Sequence, residues 1–346
     1  MKSRPGGAAA AADPQVVAAQ QGAARLDAAA AFDGAAAEYD AAFSERRLGM
    51  LLRGLLHQEL ARHLPANGLH LECGCGTGLD AAWMLRRGAA VLATDVSPAM
   101  RAATIARLRA EVGHDLEPPG ASGGFAAPQD ATAARRSIAQ GARPVTQRGQ
   151  PTGAAAVASL DLARPVPPLA LEYATGDDVR LRRVQAGASL DQAFDGCFSS
   201  FGPLNCVLDR RPLAAALQRW LRPGARVCFV TMPRLAPWDW LWYGAHRSPK
   251  AALRRLRRAP VADLPGGGKL ALDYPSARAL DAELGPSFRR LDHRAIGALL
   301  PISEAAGLVS RAPLIFEAVA AMEREVAARW PWPHLCDHAL HVWERR

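Results

Sequence analysis

Lysine is almost missing from this chain of 346 residues: it occurs only at Lys2, Lys250 and Lys269, so the formal net charge of +9 is carried by arginine. Alanine is abundant as well, the bias of GC-rich coding, and this removes the step from basicity to a nucleic-acid partner. No apolar run approaches the roughly 20 residues a membrane-spanning helix needs. The six cysteines (Cys73, Cys75, Cys197, Cys206, Cys228, Cys336) are too sparse for a disulfide scaffold. No C-x-x-C pair is present, and Cys73 and Cys75 sit in a glycine turn, so they read as small residues in tight space rather than half a zinc site. A reduced, cytoplasmic protein is the expectation. Internal repeats are absent.

The first 28 residues are low complexity: two early basic residues precede alanines, but Asp13, Pro14 and three glutamines break the apolar segment a signal peptide would need. A disordered tail is expected there, followed by one domain over 29–346. From Phe32 to Leu64 apolar residues recur at helical spacing until Pro65, Asn67 and Gly68 stop them. Then LHLECG reads as a strand, GLDAAWMLRRG as a helix, AAVLATD as a second strand, and SPAMRAATIARLRAEVG as a helix capped by Ser97 with Pro98 in its first position. Alternation at this pitch means a parallel sheet wound by right-handed crossovers.

Between Asp115 and Pro168 prolines and glycines accumulate with Phe125 as the single aromatic, and 115–168 is expected to be a disordered insertion. LALEYATGDD is then taken as the third strand, AFDGCFSSFG as the fourth, ARVCFVTM as the fifth, FRRLDHRAIGALL as the sixth and HALHVWERR as the last. The expected fold is α/β, a seven-stranded, mostly parallel, doubly wound sheet with an antiparallel last strand.

Three glycines on alternate positions, Gly74, Gly76 and Gly78, end the first strand. Glycine costs conformational entropy, so this spacing needs a backbone reason. A strand that ends in a glycine turn and feeds a helix offers backbone N–H groups and a positive helix end to a ligand. An acidic residue at the end of the next strand, Asp95, is placed to accept ribose hydroxyls. Together they predict an adenosine-containing cofactor. The dinucleotide pattern G-x-G-x-x-G would need glycine where Leu79 stands, so a nicotinamide cofactor is excluded.

LECGCGTG resembles the E/D-x-G-x-G-x-G loop of class I S-adenosylmethionine-dependent methyltransferases, with a Rossmann-like fold. TDVSPAM, ATGDD, FDGCFSSFGPLN and WLRPGARVCFV are similar to that family's later blocks in the same order, covering most of 32–232. FDGAAAEYD is similar to the helix that covers the cofactor in small-molecule members such as the quinone and malonyl-carrier-protein methyltransferases. The resemblance implies S-adenosyl-L-methionine, with Gly74, Cys75, Gly76 and Gly78 forming its loop and Glu72 near its amino group. It further implies Asp95 on the ribose, Val96 on adenine, Gly176, Asp177 and Asp178 at the adenine end, Ser199 beside the transferring methyl and Tyr39 over the site.

In-line displacement from a sulfonium asks mainly for alignment and exclusion of water, and for a base only when the acceptor must lose a proton. SSFGPLN stands where amino-group methyltransferases carry N/D-P-P-Y/F, which argues against amino acceptors and for O- or C-methylation. Phe201 and Asn205 are expected at the acceptor. The segment 233–272 reads as an aromatic and basic lid in which Trp238, Trp242 and Tyr243 would meet a small-molecule or lipid-like acceptor, or its arginines an anionic membrane surface. A solvated basic helix beside a small apolar cluster remains the plainer alternative. His246 and His293 are the candidate bases. His334, His338 and His341 lack a carboxylate pattern beyond Asp337, so no metal is expected. The competing reading is a cofactor-binding protein acting on RNA or another macromolecule through its basic aromatic segment, although no RNA-binding module is recognisable.

Overall fold

Leu69–Cys73 (β1) is buried at every position, the pattern of a strand with a neighbour on each edge and helices on both faces. A computed structural model describes residues 28–44, 46–112, 153–165, 170–176, 178–257, 260–263 and 269–346. The expected N-terminal tail, most of the expected insertion and Asp177 lie outside the described residues.

A helix over 28–39 (α1) runs into a single π turn, Asp40–Ser44, and is followed by α2 (Arg47–His63). After β1 come α3 (Leu79–Arg86), β2 (Ala90–Asp95) and α4 (Pro98–Val112). Ser97 caps α4 as its sequence predicts, its hydroxyl accepting from the Met100 N–H at 3.1 Å. The chain continues through β3 (Ala154–Ser159), β4 (Leu171–Thr175), α5 (Val179–Gln185), β5 (Phe194–Ser199), α6 (Arg211–Trp220) and β6 (Leu221–Thr231). Next are α7 (Pro237–Ala245), α8 (Pro249–Ala252) and a small hairpin of β7 (Val261–Asp263) and β8 (Lys269–Ala271). The last elements are α9 (Ala277–Leu284), β9 (Phe288–Ile296), α10 (Ala306–Arg311), α11 (Pro313–Val326) and β10 (His338–Arg345).

The main sheet has eight strands in the order β4-β3-β2-β1-β5-β6-β10-β9, one more than the sequence suggested. The five from β3 to β6 run parallel, and β10 enters antiparallel to both its neighbours. Alternate side chains feed two cores. Leu69, Leu71 and Cys73 face a layer that includes Leu181, Leu213, Leu217, Trp220 and Leu280, from α5, α6 and α9. Val91 and Ala93 face Leu52, Leu56, Leu85 and Val309, from α2, α3 and α10. Each large side chain so buried contributes about 1.5–3 kcal/mol.

The added strand corrects the sequence reading. β3 was assigned to the insertion, yet it pairs in register with β2 from Ala90↔Ala154 to Asp95↔Ser159 and is buried along its length up to Ser159. Alanine has weak strand preference, and here small side chains between two packed layers make the strand. LEYAT, taken as the third strand, is an antiparallel edge strand beside β3, with the alternating exposure of an edge.

Candidate functional site

The order of strands reverses between β1 and β5, and ligands of open α/β sheets bind at such a switch, outside the carboxyl ends of the strands. A cavity of about 260 Å³ opens there. The turn after β1, the end of β2, the turn after β3 and the turn after β5 all contribute to its wall. α1 and the β7–β8 hairpin contribute apolar residues to the same wall.

All three loop glycines have positive φ: +75° at Gly74, +52° at Gly76 and +79° at Gly78. Each has its own reason. A Cβ on Gly74 would stand 2.4 Å from the Pro203 ring, and one on Gly78 would stand 2.8 Å from Thr104. Around Gly76 no atom of the described residues, its two chain neighbours aside, lies within 4 Å of that position. At Gly74 and Gly78 the close neighbour is the protein itself, whereas Gly76 keeps its space for something else.

Asp95 closes the loop from below. Its carboxylate accepts the Gly76 and Ser97 N–H groups, both at 2.9 Å, while remaining part of the cavity wall. Burial raises its pKa against those hydrogen bonds, which favour the ionised form. Glu72 is 1% exposed and neither carboxylate oxygen has a hydrogen-bond partner among the described residues. Burial, with Asp80 adding to it and Arg53 opposing, holds its pKa well above the ordinary range. An orphaned buried carboxylate is costly and in a native protein asks for a reason. Arg53 lines the cavity and pairs with Asp80 at 2.5 Å. Tyr39 also lines the cavity, with a phenol pushed up by burial.

The comparisons with known proteins bear on this geometry. Residues 71–118, which hold the glycine loop, Asp95 and α4, match the family model described as a methyltransferase domain. Over those residues the chain is similar to a methyltransferase domain. No curated protein matches the chain. Among solved structures, an S-adenosylmethionine-dependent methyltransferase from Mesorhizobium loti is 16% identical over 86% of this chain and 97% of its own, with a TM-score of 0.41. A putative one from Listeria monocytogenes is 13% identical over 86% and 99%, with a TM-score of 0.45. Geranyl diphosphate methyltransferase, in complex with GPP and sinefungin, is 12% identical over 85% and 77%, with a TM-score of 0.43.

The cavity gathers Tyr39, Gly74, Cys75, Gly76, Asp95, Val96 and Phe201 from the residues singled out in the sequence. Others fall elsewhere. Gly78 packs on Thr104 behind the loop. Ser199 donates to the Cys73 carbonyl at 2.7 Å, and its neighbour Ser200 reaches the cavity instead. Gly176 and Asp178 follow the edge strand, where Asp178 caps α5 through the Arg180 and Leu181 N–H groups. Neither lines the cavity, whose wall instead includes Leu160, Asp161 and Leu162 after β3, residues the sequence reading missed because it missed β3.

The expected acceptor and base residues are corrected as well. Asn205 is fully buried and spends both ends of its amide on Met232 and the Asp273 carbonyl, tying the turn after β5 to the chain beyond β6. Trp238 donates to the Leu299 carbonyl at 3.2 Å and Tyr243 to Glu304 at 2.6 Å, so α7 faces the start of α10 rather than the cavity. A buried arginine holds it there: Arg255 bridges Asp239 of α7 at 2.9 Å and Asp337 at 2.5 Å. Trp242 lies against His246 with the rings tilted by 36°, and the His246 Nδ1 meets the Trp242 carbonyl at 2.7 Å. His293 stacks on His341 with ring centroids 4.5 Å apart, and His334 meets it edge-on. None of these residues lines the cavity.

Among the described residues one group of metal-ligand types clusters, Glu59, His63 and Asp292, with donor atoms within 4.8 Å of one another. Arg226 donates to His63 Nδ1 at 3.0 Å, which leaves the proton on Nε2, the atom facing the carboxylates. Arg294 already pairs with Glu59 and Asp292. Glu59 and Asp292 are thus already engaged in an ion-pair network.

Proposed function

We propose that this chain is an S-adenosylmethionine-dependent methyltransferase that acts on an apolar small molecule, by O- or C-methylation through in-line displacement. The observation that carries the reading is the wall facing the glycine loop: Phe32 of α1, Met232 after β6, and Ala262, Leu270 and Leu272 around the hairpin. These residues also form one packed cluster, so the wall is part of the fold and covers the site. A cover of this kind suits a molecule that fits inside it better than a macromolecule.

Glu72, with its two partnerless oxygens, would hold the cofactor's amino group, Arg53 its carboxylate and Asp95 its ribose, while Gly76 leaves the backbone bare beneath it. When bound, the cofactor supplies an electrophilic methyl on a sulfonium. The chain's own part is placement: the wall orients the acceptor, and the cluster of α1 with the hairpin keeps water out. Tyr39, whose phenol burial keeps protonated, would offer a hydrogen-bond donor to the site. No histidine or lysine stands among the described cavity residues, which favours an acceptor that needs no imidazole or amine base.

The test is turnover with a labelled methyl donor over lipid, quinone and carboxylate acceptors. Product with an apolar acceptor, and a raised KM in Phe32→Ala, is expected. Methylation of RNA with none of the panel turned over would overturn the reading.

A further inference from the structure

α11 is apolar on two sides. Its inner side packs Phe316, Val319 and Ala320 on the core. At 3.6 residues per turn, Leu314, Ile315, Ala318 and Met322 share a second sector about 100° wide on the other side. That sector faces outward: Leu314 is 78% exposed, Ile315 63% and Met322 60%. A single exposed leucine needs no explanation, but a stripe two turns long does.

The charges around the stripe indicate its partner. Arg311 and Arg329 stand at its two ends, with Arg324 also exposed. Of the exposed acids on α11, Glu317 is already paired with Arg47, and Glu325 falls in the outward sector one turn beyond Met322, at the end of the stripe where Arg324 and Arg329 are its near neighbours in sequence. Trp330, 84% exposed, follows the helix with its amphipathic ring in solvent. Aliphatic residues, an open tryptophan and a cationic rim are the composition of a helix that lies in a lipid interface. A second copy of the chain would bring the same cationic rim against its own, whereas an anionic surface complements it.

We propose that the outer stripe of α11 with its arginine rim docks the protein on an anionic lipid bilayer. The helix lies on the membrane and does not cross it. At 14 residues it is about 21 Å long against a core of about 30 Å. Spanning would also strip Glu323, which accepts the N–H groups of Gly297, Ala298, Leu299 and Leu300, from all four partners. No single described helix is long and apolar enough to cross, and α10 with α11 reaches that length only as a pair bent by 120°. Those four hydrogen bonds fix the helix against the body, so the stripe is a rigid face.

Flotation of the full chain with vesicles of phosphatidylcholine, with and without phosphatidylserine, tests the proposal. The protein is expected to float with the anionic vesicles and less with the neutral ones. The double variant Leu314→Glu, Ile315→Glu is expected to lose roughly tenfold or more in partitioning, and Arg311→Gln with Arg329→Gln roughly tenfold, with weaker binding at high salt. These positions are exposed, so thermal unfolding should match the wild type and separate lost docking from lost folding. No flotation of the wild type, or undiminished flotation of the glutamate variant, would overturn the proposal. So would a wild-type dimer, measured by sedimentation, that the glutamate substitutions turn into monomer.

Discussion

Gly74 and Gly76 differ by two positions and share a left-handed backbone, yet alanine should fail at each for a different reason. At Gly76 the cost to folding is the positive φ alone, roughly 1–2 kcal/mol, because the new methyl meets no atom of the described residues within 4 Å beyond its chain neighbours. At Gly74 the same cost is joined by overpacking against the rigid Pro203 ring, 2.4 Å from the new Cβ, worth about another 1–3 kcal/mol. Gly76→Ala should therefore be the more stable protein and the worse binder. Thermal unfolding with and without S-adenosylhomocysteine reads both quantities. Ligand at a hundred times its Kd stabilises the wild type by about 2.7 kcal/mol, and a variant weakened a hundredfold gains only about 0.4 kcal/mol at that concentration. Gly76→Ala should show the small gain. If it were stabilised as strongly as the wild type, or if Gly74→Ala were as stable as Gly76→Ala without ligand, the reasoning about what each glycine faces would be refuted.

Glu72→Gln should leave the ligand-free protein within about 1 kcal/mol of wild type, since the carboxylate has no partner to lose, while calorimetry shows affinity for S-adenosylhomocysteine falling roughly ten- to a hundredfold. Asp95→Ala should lose both affinity and stability, by about 1–3 kcal/mol each, because it also orphans the Gly76 and Ser97 N–H groups; urea unfolding beside the titration separates the two. His70, its pKa pushed down to about 4 by burial, is neutral in the fold and binds a proton on unfolding below about pH 6.5. Its contribution is complete above that pH and is lost as pH falls toward 4, of order 3 kcal/mol in all, so melting curves of wild type and His70→Asn should converge across that window.

The first half of the parallel sheet was legible because backbone chemistry writes it: a glycine turn that admits positive φ, an N-cap serine followed by proline, and a carboxylate at a strand end. β3 was not, because AAAVAS gains its strand character from burial on both sides, which a lone sequence does not display. Missing that strand also hid Asp161 of the cavity wall, while the adenine contacts were expected at Gly176, Asp177 and Asp178. The tryptophans of α7 illustrate a second limit. Aromatic and basic residues in one segment mark a surface that will be covered, but whether by ligand or by protein depends on ion pairs such as Asp239–Arg255–Asp337, which join residues far apart in the chain. Imidazoles were misleading for the same reason: His293 and His341 stack between β9 and β10 at the far side of the sheet.

Calorimetric titration of the folded wild-type protein with S-adenosylhomocysteine tests the central claim most directly. One molecule per chain, binding with saturable heat that Gly76→Ala abolishes or weakens at least about tenfold, is the expected result. A folded protein that gives no heat, or that binds equally well with alanine at position 76, would contradict the assignment of the cavity beside Gly76 to the cofactor.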